Sequence, residues 1–105
     1  MVTDQDIRAL ADRIVAEFHP EKIILFGSRA HGTPRFDSDI DILVVLPVDG
    51  PRFRMAGKIR ASLPDTLSID VVVRSPDDVR AGRSLGDPLT LEALRSGIVL
   101  YQAAA

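Results

Sequence analysis

Three short runs of branched apolar residues limit what this chain can fold into more than any other feature. KIILFGS (22–28), DIDILVVL (39–46) and LSIDVVV (67–73) each have the length of a buried strand. Turn residues close them: Gly27 after the first, Pro47, Gly50 and Pro51 after the second, and Pro64 and Asp65 before the third. Helical spacing occupies much of the remainder. Ile7, Leu10, Ala11, Ile14, Val15 and Phe18 form one apolar stripe over residues 3–18, with Thr3 as cap, Asp4 and Asp6 in the first turn and Pro20 at the stop. Residues 51–63 carry a partial stripe through Phe53, Met55, Ala56, Ile59 and Leu63, which Gly57 weakens.

Ser75 and Pro76 open a further helix over 75–79, and residues 80–86, with two glycines, are expected to be loop. A short helix follows over 87–97, with Asp87 as cap and Gly97 at its end, and then IVLYQ (98–102) as an edge strand. The terminal Ala103–Ala105 carry no structural expectation. Strands alternating with helices in this way predict an α/β fold: a small mixed sheet of three or four strands flanked by helices.

At 105 residues the chain is expected to form a single domain, 1–105, with one modest core. No apolar run approaches the roughly 18 residues of a membrane span. With no cysteine, disulfides and thiolate metal sites are excluded, and a cytoplasmic location is expected. A net charge of −2 makes no electrostatic case for wholesale nucleic-acid binding.

Chemistry gathers at the strand ends. Alternate side chains of a strand point the same way, so Asp39 and Asp41 share one face, about 6.6 Å apart along the backbone. Two ionised carboxylates so placed repel unless a cation or a proton intervenes. Asp70 is a third acid in an otherwise apolar strand, and it joins the pair if the strands at 39–46 and 67–73 are neighbours. Hard oxygen ligands of this kind suit Mg²⁺, and two such ions would polarise both oxygens of a phosphoryl or nucleotidyl transfer. Taken singly, an acid at a strand start is often a turn cap, and Asp70 alone would more often face solvent. Gly27 permits a tight turn and close ligand approach, while Ser28 and Arg29 offer donors suited to phosphate oxygens.

GSRAHGTPRFDSDID resembles the signature of the polymerase-β-type nucleotidyltransferases: Gly-Ser, ten residues, then Asp-x-Asp, with a third acid on a later strand. HPEKIILFGSRAHG, SDIDILVVL and ALRSGIVLYQ resemble the minimal nucleotidyltransferases in particular, and His31 stands where many relatives carry arginine. The resemblance implies that Gly27, Ser28 and Arg29 serve the triphosphate of ATP. Asp39, Asp41 and Asp70 would be catalytic and hold two Mg²⁺ ions, with Asp70 assisting deprotonation of the acceptor. It also implies a partner, a HEPN-class toxin whose tyrosine receives AMP, with the chain as antitoxin in a homo- or hetero-oligomer. Two alternatives stand beside it: an antitoxin that neutralises by occlusion alone, and a small-molecule nucleotidyltransferase.

Other features have plainer readings. Leu43 and Val45 share the face of the acids and need a cover, for which the chain's own elements are the default. His19 and His31 make no metal cluster, and Tyr101 is expected to pack at an edge. Arg52, Arg54, Lys58 and Arg60 form a local basic cluster, most simply a solvated helix face.

Overall fold

The computed structural model describes residues 2–32 and 39–104, the side chains of 83–85 excepted. The polar segment 29–38, which Gly32 and Pro34 mark as a loop between the first two strands, falls partly on 33–38 and to that extent lies outside the described residues. The elements run α1 (Asp4–Phe18), β1 (Lys22–Phe26), β2 (Ile40–Val45), α2 (Arg52–Ala61), β3 (Ile69–Arg74), α3 (Pro76–Leu85), α4 (Pro88–Ser96) and β4 (Ile98–Gln102). The four strands form one mixed sheet in the order β3-β2-β1-β4. β1 is antiparallel to β2 and to β4, whereas β2 and β3 are parallel and joined through α2.

Strand alternation divides the sheet into two apolar faces. On one, Ile23 and Leu25 of β1 and Ile40, Ile42 and Val44 of β2 pack beneath Ile7, Leu10, Ala11 and Ile14 of α1 and Ile59 of α2. On the other, Ile24, Phe26, Leu43 and Val45 pack with Ala93 of α4, joined by Val79 of α3 and by Val72. The chain's own helices thus cover the strand face that carries the acids, and Leu43 is fully buried.

Local signals account for the helix ends. The Thr3 hydroxyl accepts from the Asp6 N–H at 3.1 Å, and the Asp6 carboxylate accepts from the Thr3 N–H at 2.9 Å. The same reciprocal cap recurs between Ser75 and Asp78. α3 departs from expectation: it continues to Leu85 through the segment expected to be loop. A methyl group at Gly82 would stand 3.3 Å from Cβ of Asp87 and 3.4 Å from Thr90, so glycine there lets the α3–α4 corner close tightly. That packing overrides the poor helix propensity of glycine, about 1 kcal/mol relative to alanine. Gly86, with φ +76°, then ends the helix in the left-handed conformation.

Half of the basic cluster is structural. Arg52 donates to both carboxylate oxygens of Asp78, at 2.8 and 3.2 Å, and to the Gly50 carbonyl at 2.9 Å. Arg60 donates to the carbonyls of Pro64 and Leu67, at 3.2 and 2.7 Å. At the corner of α3 and α4, Arg74 and the buried Thr90 hydroxyl both donate to Asp87.

The Arg52 hydrogen bond and the Ser75 N–H hold the Asp78 carboxyl down at about 2, against an ordinary 3.8. Its contribution to stability is therefore complete above the ordinary value and is lost as pH falls through about 2. Asp78→Asn is expected to lower stability at pH 7 by about 1 kcal/mol, a figure discounted for the pair's partial exposure to solvent. Thermal melts of both proteins from pH 7 to pH 2 should show the gap closing at the acid end.

Candidate active site

Parity sends Asp41 and Asp70 to the same face, and register sets them side by side. On the parallel pair β2 and β3, Asp41 stands directly beside Asp70, flanked by Ile40 beside Ile69 and Ile42 beside Val71. On the other side of β2, Phe26 of β1 is the partner of Asp41, so the residue that follows, Gly27, lies against its carboxylate. A methyl group built on Gly27 would come within 2.3 Å of Asp41 Oδ2, and its φ of +76° is already a conformation that favours glycine.

The turn after Gly27 tightens through hydrogen bonds from the Ala30 N–H to the Gly27 carbonyl and from the His31 N–H to the Ser28 carbonyl. Ser28 is exposed at this turn and Arg29 is half-buried behind it. Asp39 precedes β2 and accepts a hydrogen bond from the Ser68 hydroxyl, while the Ile40 N–H donates to the Ser68 carbonyl at 2.9 Å.

Electrostatics set Asp41 apart. Its carboxyl is pushed above 3.8, first by burial, then by the charges of Asp70 and Asp39, with a hydrogen bond that the protonated Asp41 carboxyl donates to Asp70 and the charge of Glu92 adding to the effect. Asp41 thus pays for its position by favouring the protonated form, as expected where like charges crowd a partly desolvated site. Glu92 lies on α4, whose Ala93 is buried against Ile24 and Phe26. Neither Glu92 nor Ser68 is marked by any spacing in the sequence, because both reach the acids only through tertiary packing.

The donor set has the chemistry of a site for a hard divalent cation: carboxylates whose mutual repulsion such an ion would offset. Among the described residues, however, no group of three His, Cys, Asp or Glu side chains is already arranged around a metal position. Asp39 is turned to Ser68, and the preformed element is the Asp41–Asp70 pair. His19 lies at the end of α1, in the left-handed conformation with φ 51°, and His31 lies in the turn after β1.

A mixed four-stranded sheet that places a Gly-Ser turn beside paired acids at the start of two parallel strands defines the polymerase-β-like nucleotidyltransferase class. The family model of the nucleotidyltransferase domain matches residues 7–98, and the chain belongs to that family. No curated protein matches the chain by sequence. Among solved structures, a protein assigned as a nucleotidyltransferase from Sulfolobus solfataricus is similar at 18% identity and TM-score 0.65, over 93% of this chain and 78% of that one. A toxin–antitoxin structure with AMP-PNP is similar at 25% identity and TM-score 0.59, over 97% of this chain and 75% of that one. The toxin–antitoxin pair MntA–HpeT, in a form carrying two aspartate-to-glutamate substitutions, is similar at 24% identity and TM-score 0.59, over the same shares.

Gly27→Ala is expected to cost about 1–2 kcal/mol for the left-handed backbone and to displace Asp41. A shift of that kind should lower nucleotidyl transfer at least about 100-fold while the folded spectrum persists, as checked by circular dichroism alongside the assay. Because the Asp41 carboxyl titrates above its unfolded value, ionising it costs stability as pH rises beyond 3.8. Asp41→Asn should therefore stabilise the protein by up to about 1 kcal/mol at pH 7 in a chelating buffer. The gain should shrink towards pH 3, which melting curves at the two pH values would establish.

Proposed function

We propose that the chain is a Mg²⁺-dependent nucleotidyltransferase that moves AMP from ATP to a tyrosine hydroxyl of a cognate HEPN toxin and so acts as an antitoxin. The observation that carries this reading is the in-register Asp41–Asp70 pair with Gly27 closed against it. A similar structure that is a toxin–antitoxin with AMP-PNP supports the choice of partner and nucleotide.

In this reading Ser28 and Arg29, on the turn after β1, bind the β- and γ-phosphates and orient the triphosphate along the edge of the sheet. Asp39, Asp41 and Asp70 would hold the metal, which supplies electrophilic stabilisation of the charge developing on the transferring phosphoryl group. Asp70 is more exposed than Asp41 and stands beside it, so it can take the proton of the incoming hydroxyl. The acceptor oxygen forms a bond to the α-phosphorus, the bond from that phosphorus to the bridging oxygen breaks, and pyrophosphate leaves with the electron pair. The buried floor of Phe26 and Leu43 keeps the acids on a rigid strand, which favours pre-positioned charge over reorganisation.

Purified chain, [α-³²P]ATP, Mg²⁺ and the protein encoded by the adjoining reading frame should yield a labelled partner. Asp39→Asn and Asp41→Asn should each reduce labelling on the order of 10³-fold. Undiminished labelling by these variants would refute the catalytic assignment. Full neutralisation of the toxin by the double variant would favour occlusion, and label transfer to a small alcohol without any protein would favour a small-molecule acceptor.

A further inference from the structure

We propose that the outer face of α2, formed by Phe53, Arg54, Gly57 and Lys58, is a docking surface for an acidic protein partner. Phe53 would enter an apolar notch and the two cations would meet carboxylates. The inference rests on the reading that the chain works against a protein partner, and it locates where that partner is held.

The face combines features that local stability would each disfavour. Phe53 is 73% exposed, well above Leu89, Ile98 and Val99, the other exposed large apolar residues among those described. Residues 52–61 contain four cations and no acid. Arg52 and Arg60 are committed to Asp78 and to backbone carbonyls. Arg54 and Lys58 are both exposed, and no hydrogen bond or ion pair engages either among the described residues. They stand four residues apart, a spacing at which like charges repel along a helix. Gly57, one turn after Phe53, has open space where a side chain would be, so the backbone beside the ring can be approached closely. The helix also begins without a side-chain cap, and it is held by the burial of Ile59 and by Arg52. Local choices that conflict with stability while agreeing with one another on a single face are what a binding surface requires.

Charge selects the class of partner. Two available cations on a chain of net charge −2 can neutralise about two phosphates, too few for more than feeble binding to nucleic acid. The same two cations beside an exposed aromatic ring match the composition of protein interfaces, in which aromatic residues and arginine are enriched. Position agrees. α2 packs on the sheet face of Ile40 and Ile42, opposite the face of Asp41 and Asp70, so a partner seated on α2 leaves the acids uncovered.

The test measures binding of the protein encoded by the adjoining reading frame, by calorimetry at 50 and 300 mM NaCl. Arg54→Glu with Lys58→Glu should weaken binding at least about 10-fold at low salt and flatten the salt dependence. Phe53→Ser should weaken it about 10-fold at both salts, with the melting temperature unchanged. In the labelling assay the charge reversal should raise KM for the partner and leave kcat unchanged. Wild-type affinity in both variants would overturn the docking surface and leave the catalytic reading intact. Absence of binding by the wild-type chain would overturn the protein-partner reading and this inference together. Tighter binding of a 20-nucleotide poly(U) strand, lost on charge reversal, would assign the face to nucleic acid and overturn the proposal.

Discussion

Two carboxylates held side by side on neighbouring parallel strands are the constraint around which this molecule is arranged. Asp41 and Asp70 would separate if their strands could slip or twist freely, because the charge of Asp70 disfavours the ionised form of Asp41. The parallel ladder from Ile40–Ile69 to Val45–Arg74 resists that separation, since slipping by one residue would exchange the two faces of β2 and carry Asp41 into the core beneath α1 and α2. The site is therefore an electrostatic cost imposed on a backbone that apolar burial stabilises.

Burial on both faces of the sheet supplies that stabilisation. Ile40, Ile42 and Val44 lie under α1 and α2, while Leu43 and Val45 lie against the α3–α4 side, leaving β2 buried almost throughout except at its acid. The α3–α4 corner matters here because it closes the face that carries the chemistry. Gly82 allows the close approach of the two helices, and the ion pair and hydrogen bonds at Asp87 satisfy polar groups that the corner would otherwise bury. α2 serves a second purpose by linking β2 to β3 as a parallel pair, which brings the third acid level with the second.

Much of this was legible in the residues. The stripe from Ile7 to Phe18, the caps at Thr3 and Ser75 and the three strand cores all appear as expected, because each depends on neighbours within a few positions. The boundary at residue 80 was not legible. A glycine in a helical pattern signals a break, and only the contact of Gly82 with Asp87 and Thr90 shows why the helix continues. Arg52 and Arg60 read as part of a solvated basic face, yet their partners are an aspartate 26 positions away and carbonyls in the turn after the helix. Glu92 and Ser68 carry no motif, and their proximity to the acids arises from packing over long sequence separations.

By itself the sequence determined which side chains could share a face. Strand alternation is a local steric property, so Asp41 had to share a face with Leu43 and Val45, and the Gly-Ser turn had to fall at the end of the preceding strand. Asp39, expected on that same face, lies just outside β2, where alternation does not bind it. Only the tertiary structure decided that Asp70 meets Asp41, that Gly27 closes on the same carboxylate and that Asp39 turns to Ser68. Those relations depend on strand order and register, which arise from the burial of both sheet faces at once and have no signature within any single segment.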